Sequence, residues 1–205
     1  MNEEMPTVFV VDDDSAVGDS IRMLLRSVGI QSEVFLSARA FLQDYDPDRA
    51  GCLVLDVRMP GMSGIDLQKR LQEMGSRLPI IFVTAHGDVP MAVGAVKAGA
   101  VDFIQKPFRD QELLDKIQEA LEFDSRIRAR EAELGEIRAR LDTLTERESE
   151  VMELVVDGKP NKNIARAMGI SQRTVEIHRA RVMEKMKVRS VSLLVQLVMK
   201  ARSGS

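Results

Sequence analysis

The hydrophobic and polar positions of this chain change period along its length. In the first part, short apolar runs alternate with longer segments in which apolar residues recur at helical spacing. The short runs cover residues 7–11, 31–35, 52–56, 80–84 and 102–105. Strands that alternate with amphipathic helices are typical of a parallel sheet with helices on both faces. We therefore predict an α/β, doubly wound, five-stranded parallel sheet with the strand order 2-1-3-4-5, which brings the ends of the first and third strands together.

Beyond the predicted sheet, the pattern is helical without interruption. Residues 110–143 contain no proline and have Gly135 as their only glycine. An apolar stripe with heptad-like spacing runs through the second half of this segment and ends just after it. It is formed by Ile127, Leu134, Ile137, Leu141 and Leu144. This stripe predicts a long helix that leaves the first domain. Because it covers fewer than three heptads, both a paired coiled coil and a lone charged linker helix remain open.

The last part has the pattern of four short amphipathic helices. Thr145 and Glu148 form a capping-box pattern ahead of the first helix, and Gly158 ends that helix. Gly169 makes a turn, and Ser171 is placed to cap the helix that follows. The result is an all-α four-helix unit with a helix-turn-helix. The predicted domains are an α/β domain, a helical linker and a helix-turn-helix domain, at residues 1–121, 122–143 and 144–205.

Charge is divided unequally between the two ends. The whole chain has a net charge of -3, but residues 1–121 hold 12 Lys and Arg against 19 Asp and Glu, whereas residues 145–205 hold 12 against 7. Within residues 159–189 there are nine basic side chains and two acidic ones. Such a surface attracts a phosphate backbone, although a solvated basic face is common enough that charge alone does not decide the matter.

Composition excludes several classes of protein. Cys52 is the only cysteine, which excludes an internal disulfide framework and a cysteine-rich zinc site, and its apolar surroundings predict a core residue. No apolar stretch reaches the length of a membrane span, and the N-terminus lacks the pattern of a secretory signal. We therefore expect a cytoplasmic protein without a membrane partner.

Acidic residues stand where the predicted strands end. Asp12 and Asp13 follow the first strand, Asp56 ends the third, and Lys106 follows the fifth. Ligands of open α/β sheets bind at the carboxyl ends of the strands, so we expect these side chains to meet. Crowded carboxylates repel one another unless a hard cation lies among them, and such oxygen ligands suit Mg²⁺. The pattern favours a metal-dependent phosphoryl site, while an Asp-rich turn or helix cap is the plainer explanation for residues 12–14.

Several motifs resemble those of known families. The segments similar to a receiver domain are residues 10–13, 55–64, 84–91 and 97–108, and those similar to a LuxR-type helix-turn-helix are residues 144–148 and 173–179. In this order they resemble two-component response regulators of the FixJ type, within the NarL and LuxR group of DNA-binding proteins. The resemblance spans essentially the entire chain.

The resemblance implies a role for each residue of the predicted phosphoryl site. Asp56 would be the phosphoacceptor. Asp13 and Asp56 would bind Mg²⁺ directly, with Asp12 acting largely through water. The backbone carbonyl of Arg58 would be a third protein ligand, a role that does not depend on the arginine side chain. Lys106 would pair with a phosphoryl oxygen.

Two further residues resemble the switch pair of the family. Thr84 would bond the new phosphoryl oxygen, and the ring of Phe103 would fill the space that the hydroxyl vacates. Phe103 has no hydroxyl, unlike the tyrosine of many relatives, so only the packing half of the switch carries over. We also expect a cis peptide between Lys106 and Pro107, and we interpret His86 as loop structure rather than a catalytic base.

The helix after Ser171 is the predicted recognition helix. Its spacing places Val175, His178, Val182 and Met186 on the buried side. The residues expected in the major groove are Arg173, Thr174, Glu176, Ile177, Ala180 and Arg181. The residues expected at DNA phosphates are Lys162, Lys185, Lys187 and Arg189. Some relatives have lysine at the positions of Glu176 and Ala180, so their base preferences do not carry over.

These expectations combine into one functional hypothesis. A partner histidine kinase phosphorylates Asp56, the receivers form a homodimer, and the paired basic domains bind double-stranded promoter DNA, with RNA polymerase as a further potential partner. The protein would not be an enzyme beyond its own phosphoryl transfer and dephosphorylation. The alternative is a haloacid-dehalogenase-like Mg²⁺-dependent phosphatase with Asp12 as nucleophile, which gives no reason for the helix-turn-helix. A scaffold that has lost phosphorylation is disfavoured because every expected site residue is present.

Overall fold

The computed structural model describes residues 5–85 and 100–203. The chain forms two compact units, which we call the N-terminal unit (Met1–Ile127) and the C-terminal unit (Arg128–Ser205). Within the described residues, none of the helices combines the length with the apolar character that crossing a membrane requires.

The N-terminal unit contains the predicted parallel sheet. Its strands lie in the order β2-β1-β3-β4-β5, and every neighbouring pair is parallel. This confirms the predicted fold class and strand order. The strands are β1 (Thr7–Val11), β2 (Gln31–Phe35), β3 (Gly51–Leu55), β4 (Ile80–Thr84) and β5 (Asp102–Gln105). Among the described residues, the helices that lie in this unit or begin in it are α1 (Ser15–Ser27), α2 (Ala38–Asp44), α3 (Gly64–Glu73) and α4 (Asp110–Asp142).

Helices cover the sheet on both faces because alternate strand residues point to opposite sides. Phe9 and Leu53 belong to one core cluster, together with residues of α2 and α3. Cys52 and Val54 belong to the other, together with residues of α1 and α4. Cys52 is fully buried, as predicted, and burial, helped by the charge of Asp124, raises the pKa of its thiol to about 12.

The C-terminal unit contains the four predicted helices and the second half of α4. The four helices are α5 (Glu146–Val156), α6 (Asn161–Met168), α7 (Gln172–Lys185) and α8 (Val191–Ser203). Thr145 and Glu148 form the predicted capping box at the start of α5. Gly169 adopts a left-handed conformation (φ +67°) that ends α6, and Ser171 caps α7 through the backbone N–H of Thr174. The predicted helix-turn-helix is therefore α6, the turn at Gly169 and α7.

The last part of the apolar stripe, from Ile137 to Leu144, packs into the core of the C-terminal unit. Leu134 and Ile137 are buried, and Ile137 belongs to the core cluster of the C-terminal unit. Leu141 and Leu144 pack against the same cluster. Residues of the predicted linker thus contribute to the helical core instead of forming a free helix, and the division between the two units falls after Ile127.

Candidate functional site

The carboxyl ends of β1 and β3 bring Asp12 and Asp56 to the same edge of the sheet. Val11 and Leu55 are register partners, so the residues that follow them start from neighbouring positions. The backbone N–H of Asp56 donates to the Val11 carbonyl at 2.8 Å, which continues the pairing into Asp56. Gly64 lies against this backbone, because a Cβ added there would lie 2.2 Å from the Asp56 carbonyl oxygen. The position of the Asp56 backbone is therefore set by β1 on one side and by the start of α3 on the other.

Lys106 joins the two carboxylates. Its Nζ lies 2.7 Å from Asp12 Oδ2 and 3.2 Å from Asp56 Oδ1. Asp12 and Asp56 are only 3% and 8% exposed, so the three charges interact with little solvent between them. The structure thus brings together three of the residues predicted for the phosphoryl site.

The pKa values of Asp56 and Lys106 are both raised, but for different reasons. Burial raises the pKa of Asp56, and the charge and hydrogen bond of Lys106 oppose that rise only in part. Burial acts to lower the pKa of Lys106, but the hydrogen bond and charge of Asp12, with those of Asp56, outweigh it and raise the pKa. Lys106 is therefore a permanent cation at neutral pH.

The backbone around the cluster fixes the remaining carboxylate oxygens. The N–H of Arg58 donates to Asp56 Oδ2 at 2.6 Å, and the N–H of Asp14 donates to Asp12 Oδ1 at 2.9 Å. The Arg58 side chain is exposed. Asp13 is also exposed, and Asp14 caps α1 through the N–H of Ala16. The capping explanation thus holds for Asp14, whereas Asp12 belongs to the buried cluster.

A divalent cation fits this edge by charge and by donor type. Asp12, Asp13 and Asp56 carry three negative charges against the single positive charge of Lys106, and carboxylate oxygens are the ligands that Mg²⁺ prefers. Among the described residues, no three His, Cys, Asp or Glu side chains are grouped closely enough to hold a metal ion by themselves. A cation here would need backbone or water oxygens in addition to the carboxylates.

The predicted switch residues lie on β4 and β5. Thr84 ends β4 and is 1% exposed, and its carbonyl accepts from the N–H of Lys106 at 2.9 Å. Phe103 is half-buried, is the register partner of Phe82, and packs against the cluster that covers one face of the sheet. The Lys106–Pro107 peptide is cis, as predicted. His86 and the other motif residues at 87–91 and 97–99 lie outside the described residues.

Helix α7 exposes the residues predicted for base contacts. Val175, Val182 and Met186 are buried, which confirms the predicted inner face. Thr174 is half-buried and Ile177 is 48% exposed. The other predicted groove residues are all exposed, namely Arg173, Glu176, Ala180 and Arg181.

The Thr174 hydroxyl is committed to the helix cap. Thr174 Oγ1 lies 2.8 Å from Ser171 Oγ, and its backbone N–H donates to the same oxygen at 3.0 Å. With the hydroxyl held in this way, the methyl group is the part of the side chain left for an apolar contact. This fits the predicted contact with a thymine methyl better than a hydrogen bond to a base.

The residues predicted at DNA phosphates divide into two groups. Lys162, Lys187 and Arg189 are exposed. Lys185 is half-buried, and its Nζ lies 2.6 Å from Glu148 Oε2 and 2.9 Å from the Thr143 carbonyl oxygen. A DNA phosphate at Lys185 would therefore have to compete with these two partners of the ammonium.

Several interactions of this unit were not predicted from the sequence. Glu148 is 2% exposed and combines the predicted capping role with the ion pair to Lys185. Arg179 donates to Asn161 Oδ1 at 2.8 Å and so connects α7 with the start of α6. His178 is half-buried, and its Nδ1 has no hydrogen-bond partner within the described part of the chain. Only Glu148 had a sequence signal, its spacing from Thr145 in the capping box.

Comparisons with known proteins cover both units. Residues 8–118 match the response regulator receiver domain, and residues 142–199 match the luxR family of bacterial regulatory proteins. The chain is 47% identical over 199 residues to the transcriptional regulatory protein FixJ of Rhizobium meliloti, covering 97% of each. It is 45% identical over 197 residues to the response regulator protein TodT of Pseudomonas putida, covering 96% of this chain and 87% of TodT.

Solved structures give the same result. The low-resolution structure of the response regulator StyR is 47% identical, with a TM-score of 0.90 over 96% of this chain and 100% of StyR. Full-length FixJ from B. japonicum is 45% identical, with a TM-score of 0.59 over 97% of this chain and 98% of FixJ. These similarities leave the phosphatase alternative without support.

Proposed function

Because this chain belongs to the two-component response regulators with a LuxR-type DNA-binding domain, and is therefore a transcription regulator, we propose that Asp56 is its phosphoacceptor. The observation that supports this most directly is the bridge from Lys106 to Asp12 and Asp56 at the carboxyl edge of the sheet. A receiver domain implies a histidine kinase as the phosphodonor. The nucleophile in this proposal is a carboxylate oxygen of Asp56.

The transfer is a substitution at phosphorus. An Asp56 oxygen forms the new P–O bond while the P–N bond of the donor phosphohistidine breaks, and its electron pair leaves with the imidazole nitrogen. Negative charge develops on the transferring oxygens, and Lys106 is close enough to Asp56 to pair with one of them. The Arg58 N–H holds the second Asp56 oxygen, which orients the carboxylate. Catalysis in this proposal consists of positioning and charge neutralisation.

We assign the cation of this site to Mg²⁺, which receiver domains generally use. Asp13 and Asp56, with the Arg58 backbone carbonyl, would hold it, and Asp12 would act through a bound water. Bound there, it would neutralise charge on the phosphoryl oxygens. The uncompensated negative charge of the cluster supports this assignment.

Phosphorylation would then act on DNA binding. The Thr84 hydroxyl would bond the new phosphoryl oxygen, and Phe103 would repack, although without the hydroxyl of a tyrosine. Receivers would dimerise and bring two helix-turn-helix domains to an inverted repeat in promoter DNA, where contact with RNA polymerase would follow. We place this activity in the cytoplasm and propose no enzymatic activity beyond the protein's own phosphorylation and dephosphorylation.

Base contacts in this proposal come from the exposed side of α7. Arg173 would bond guanine, Glu176 would accept from cytosine N4, and Ile177 would touch a thymine methyl. Thr174, Ala180 and Arg181 would complete the contact surface. Lys162, Lys187 and Arg189 would bind phosphates and set affinity rather than sequence choice.

One experiment tests the phosphoacceptor directly. The full chain is incubated with Mg²⁺ and acetyl phosphate, and the acid-labile adduct is mapped by mass spectrometry. We expect an adduct on Asp56 that is absent without Mg²⁺ and absent from the Asp56→Asn variant. Asp66→Asn, which alters an exposed aspartate on α3, is the matched control and should be modified like the wild type. An adduct that persists in Asp56→Asn would refute the assignment.

A further inference from the structure

Lys185 lies where three segments of the C-terminal unit meet. It is the last residue of α7, and its ammonium contacts the Glu148 carboxylate near the start of α5. The same ammonium donates to the carbonyl of Thr143, immediately after the last residue of α4. We call this set of contacts the Lys185 junction. It connects the recognition helix to the end of the helix that begins in the receiver.

On the Glu148 side of the junction, the carboxylate is buried and has two hydrogen-bond donors. Glu148 is 2% exposed, and its Oε2 also accepts from the Thr145 N–H at 2.9 Å. The hydrogen bond from Lys185, followed by that from the Thr145 backbone, lowers the pKa of Glu148 to about 2. A carboxylate held by a backbone N–H in this way gives Lys185 a fixed partner rather than a mobile surface charge.

The Thr143 side of the junction is also anchored. The Thr143 N–H donates to the Arg140 carbonyl at 3.1 Å. The residue whose carbonyl accepts from Lys185 is therefore itself part of a hydrogen-bonded turn at the end of α4. Ile137 is part of the helical core, and Leu141 packs against it. The end of α4 is thus packed onto the helical core and is also bonded to Lys185. A lysine there also suits the negative end of the helix dipole.

We propose that Lys185 is a positioning residue for DNA recognition and not a phosphate contact. By holding the carboxyl end of α7 against the end of α4 and the start of α5, it fixes the direction in which α7 presents its exposed residues. Loss of the junction would disturb base readout, whereas loss of a phosphate contact would weaken all DNA sequences equally. This inference depends on the DNA-binding domain itself and not on phosphorylation of Asp56.

The test compares Lys185→Gln with Lys187→Gln in the full chain. The probes are a duplex enriched from a random pool by the wild-type protein and a shuffled duplex of the same composition, titrated over a series of salt concentrations. For Lys187→Gln we expect weaker binding to both duplexes and a salt slope smaller by about 1, with the ratio of the two affinities unchanged. For Lys185→Gln we expect an unchanged slope and an affinity ratio reduced about tenfold, which is the size of one lost base contact.

Two more variants separate positioning from a general loss of stability. Glu148→Gln retains an acceptor for the helix cap but removes the charge that holds Lys185, so it should reduce the affinity ratio as Lys185→Gln does. The double variant should be no worse than either single one, because both remove the same contact. Ile164→Val, in the core of the same unit, should lower the melting temperature while leaving the affinity ratio unchanged.

The outcomes decide the proposal in either direction. A salt slope reduced by about 1 with an unchanged affinity ratio in Lys185→Gln would make Lys185 a phosphate contact and overturn it. No change in either quantity would overturn it as well. If circular dichroism shows Lys185→Gln to be unfolded, Glu148→Gln decides in its place because it keeps the lysine. A reduced affinity ratio with an unchanged slope then supports positioning, and an unchanged ratio overturns it. A ratio that also falls in Ile164→Val would assign the effect to stability alone and overturn the proposal.

Discussion

At the scale of single residues, the charges of Asp12, Lys106 and Asp56 depend on one another. Two carboxylates that are almost fully buried share one ammonium, so neither acid is fully neutralised. Removing one partner of a buried ion pair leaves an uncompensated charge, which is far more destabilising than removing both. Lys106 therefore stabilises the resting receiver in addition to its proposed role in phosphoryl transfer.

Lys106→Met should therefore destabilise the receiver. We expect the free energy of unfolding to fall by about 2 to 3 kcal/mol in the absence of divalent cations, since two buried carboxylates then face each other. Mg²⁺ should recover part of the loss, and adding Asp12→Asn should recover part of it without any cation. Urea denaturation of the full chain, with and without Mg²⁺, measures these differences. Lys69→Met, at an exposed position on α3, is the control and should change little. A Lys106→Met protein as stable as the control would show that the ion pairs contribute nothing.

At the scale of secondary structure elements, the start of α5 contributes to the stability of the protein in a way that depends on pH. The pKa of Glu148 lies at about 2 in the folded protein, below its ordinary value of 4.5, mainly because Lys185 donates to it. A lowered folded pKa stabilises the protein above the unfolded value, and the contribution disappears as the pH falls from about 4.5 towards 2. The wild type should therefore exceed Glu148→Gln in stability at pH 7, and the difference should shrink over that acidic range.

The difference in stability is measured by thermal unfolding of the wild type and Glu148→Gln at a series of pH values, from pH 7 to pH 2.5 in steps of about one pH unit. Comparison with Glu148→Gln is necessary because other carboxylates also titrate in this range. Glu150→Gln, whose side chain forms an ion pair with Arg147 only three residues away, should behave like the wild type throughout. A difference between the wild type and Glu148→Gln that stays constant down to pH 2.5 would contradict the lowered pKa.

Helix α4 contains a position where a substitution should increase stability. Gly135 is exposed, and a Cβ added there would have no neighbour within 4 Å. Glycine in a helix interior is less favourable than alanine by about 0.5 to 1 kcal/mol, so Gly135→Ala should stabilise the C-terminal unit by up to that amount. Chemical denaturation measures the change. Gly169→Ala, at a left-handed position, should destabilise the same unit instead, and stabilisation by both substitutions would contradict the argument.

These elements also show how far sequence reasoning reaches. The strands, the capping box and the turn at Gly169 follow from local signals, and the buried cluster follows from the rule that strand ends meet at one edge of a parallel sheet. Pairings between distant segments had no such signal. Lys185 resembled a surface lysine in a basic stretch, and Asp124, in the charged sequence of α4, is in fact buried and accepts from the Gly51 N–H at 2.9 Å. Neither partner can be inferred from spacing, because the contacts depend on tertiary packing.

At the scale of the whole molecule, the chain combines an acidic part with the proposed phosphoacceptor and a basic part with a LuxR-type DNA-binding domain. Phosphorylation of a separate domain can strengthen DNA binding in two ways, by bringing two copies together or by releasing the DNA-binding domain. Dimerisation makes the second binding event intramolecular, and the resulting gain in affinity reaches 10² to 10⁴. This gain requires two correctly spaced half-sites, which distinguishes dimerisation from simple release of the DNA-binding domain.

The phosphorylated protein should therefore respond to the number of half-sites. After treatment with acetyl phosphate and Mg²⁺, the full chain should bind an inverted-repeat duplex roughly a hundredfold more tightly, but a single half-site by less than about threefold. The Asp56→Asn variant should show neither change, and light scattering should report a dimer only for the phosphorylated wild type. Insertion of five base pairs between the half-sites turns them to opposite sides of the duplex, so it should abolish most of the gain. An equal gain on the single half-site would indicate that phosphorylation frees the DNA-binding domain without pairing two copies.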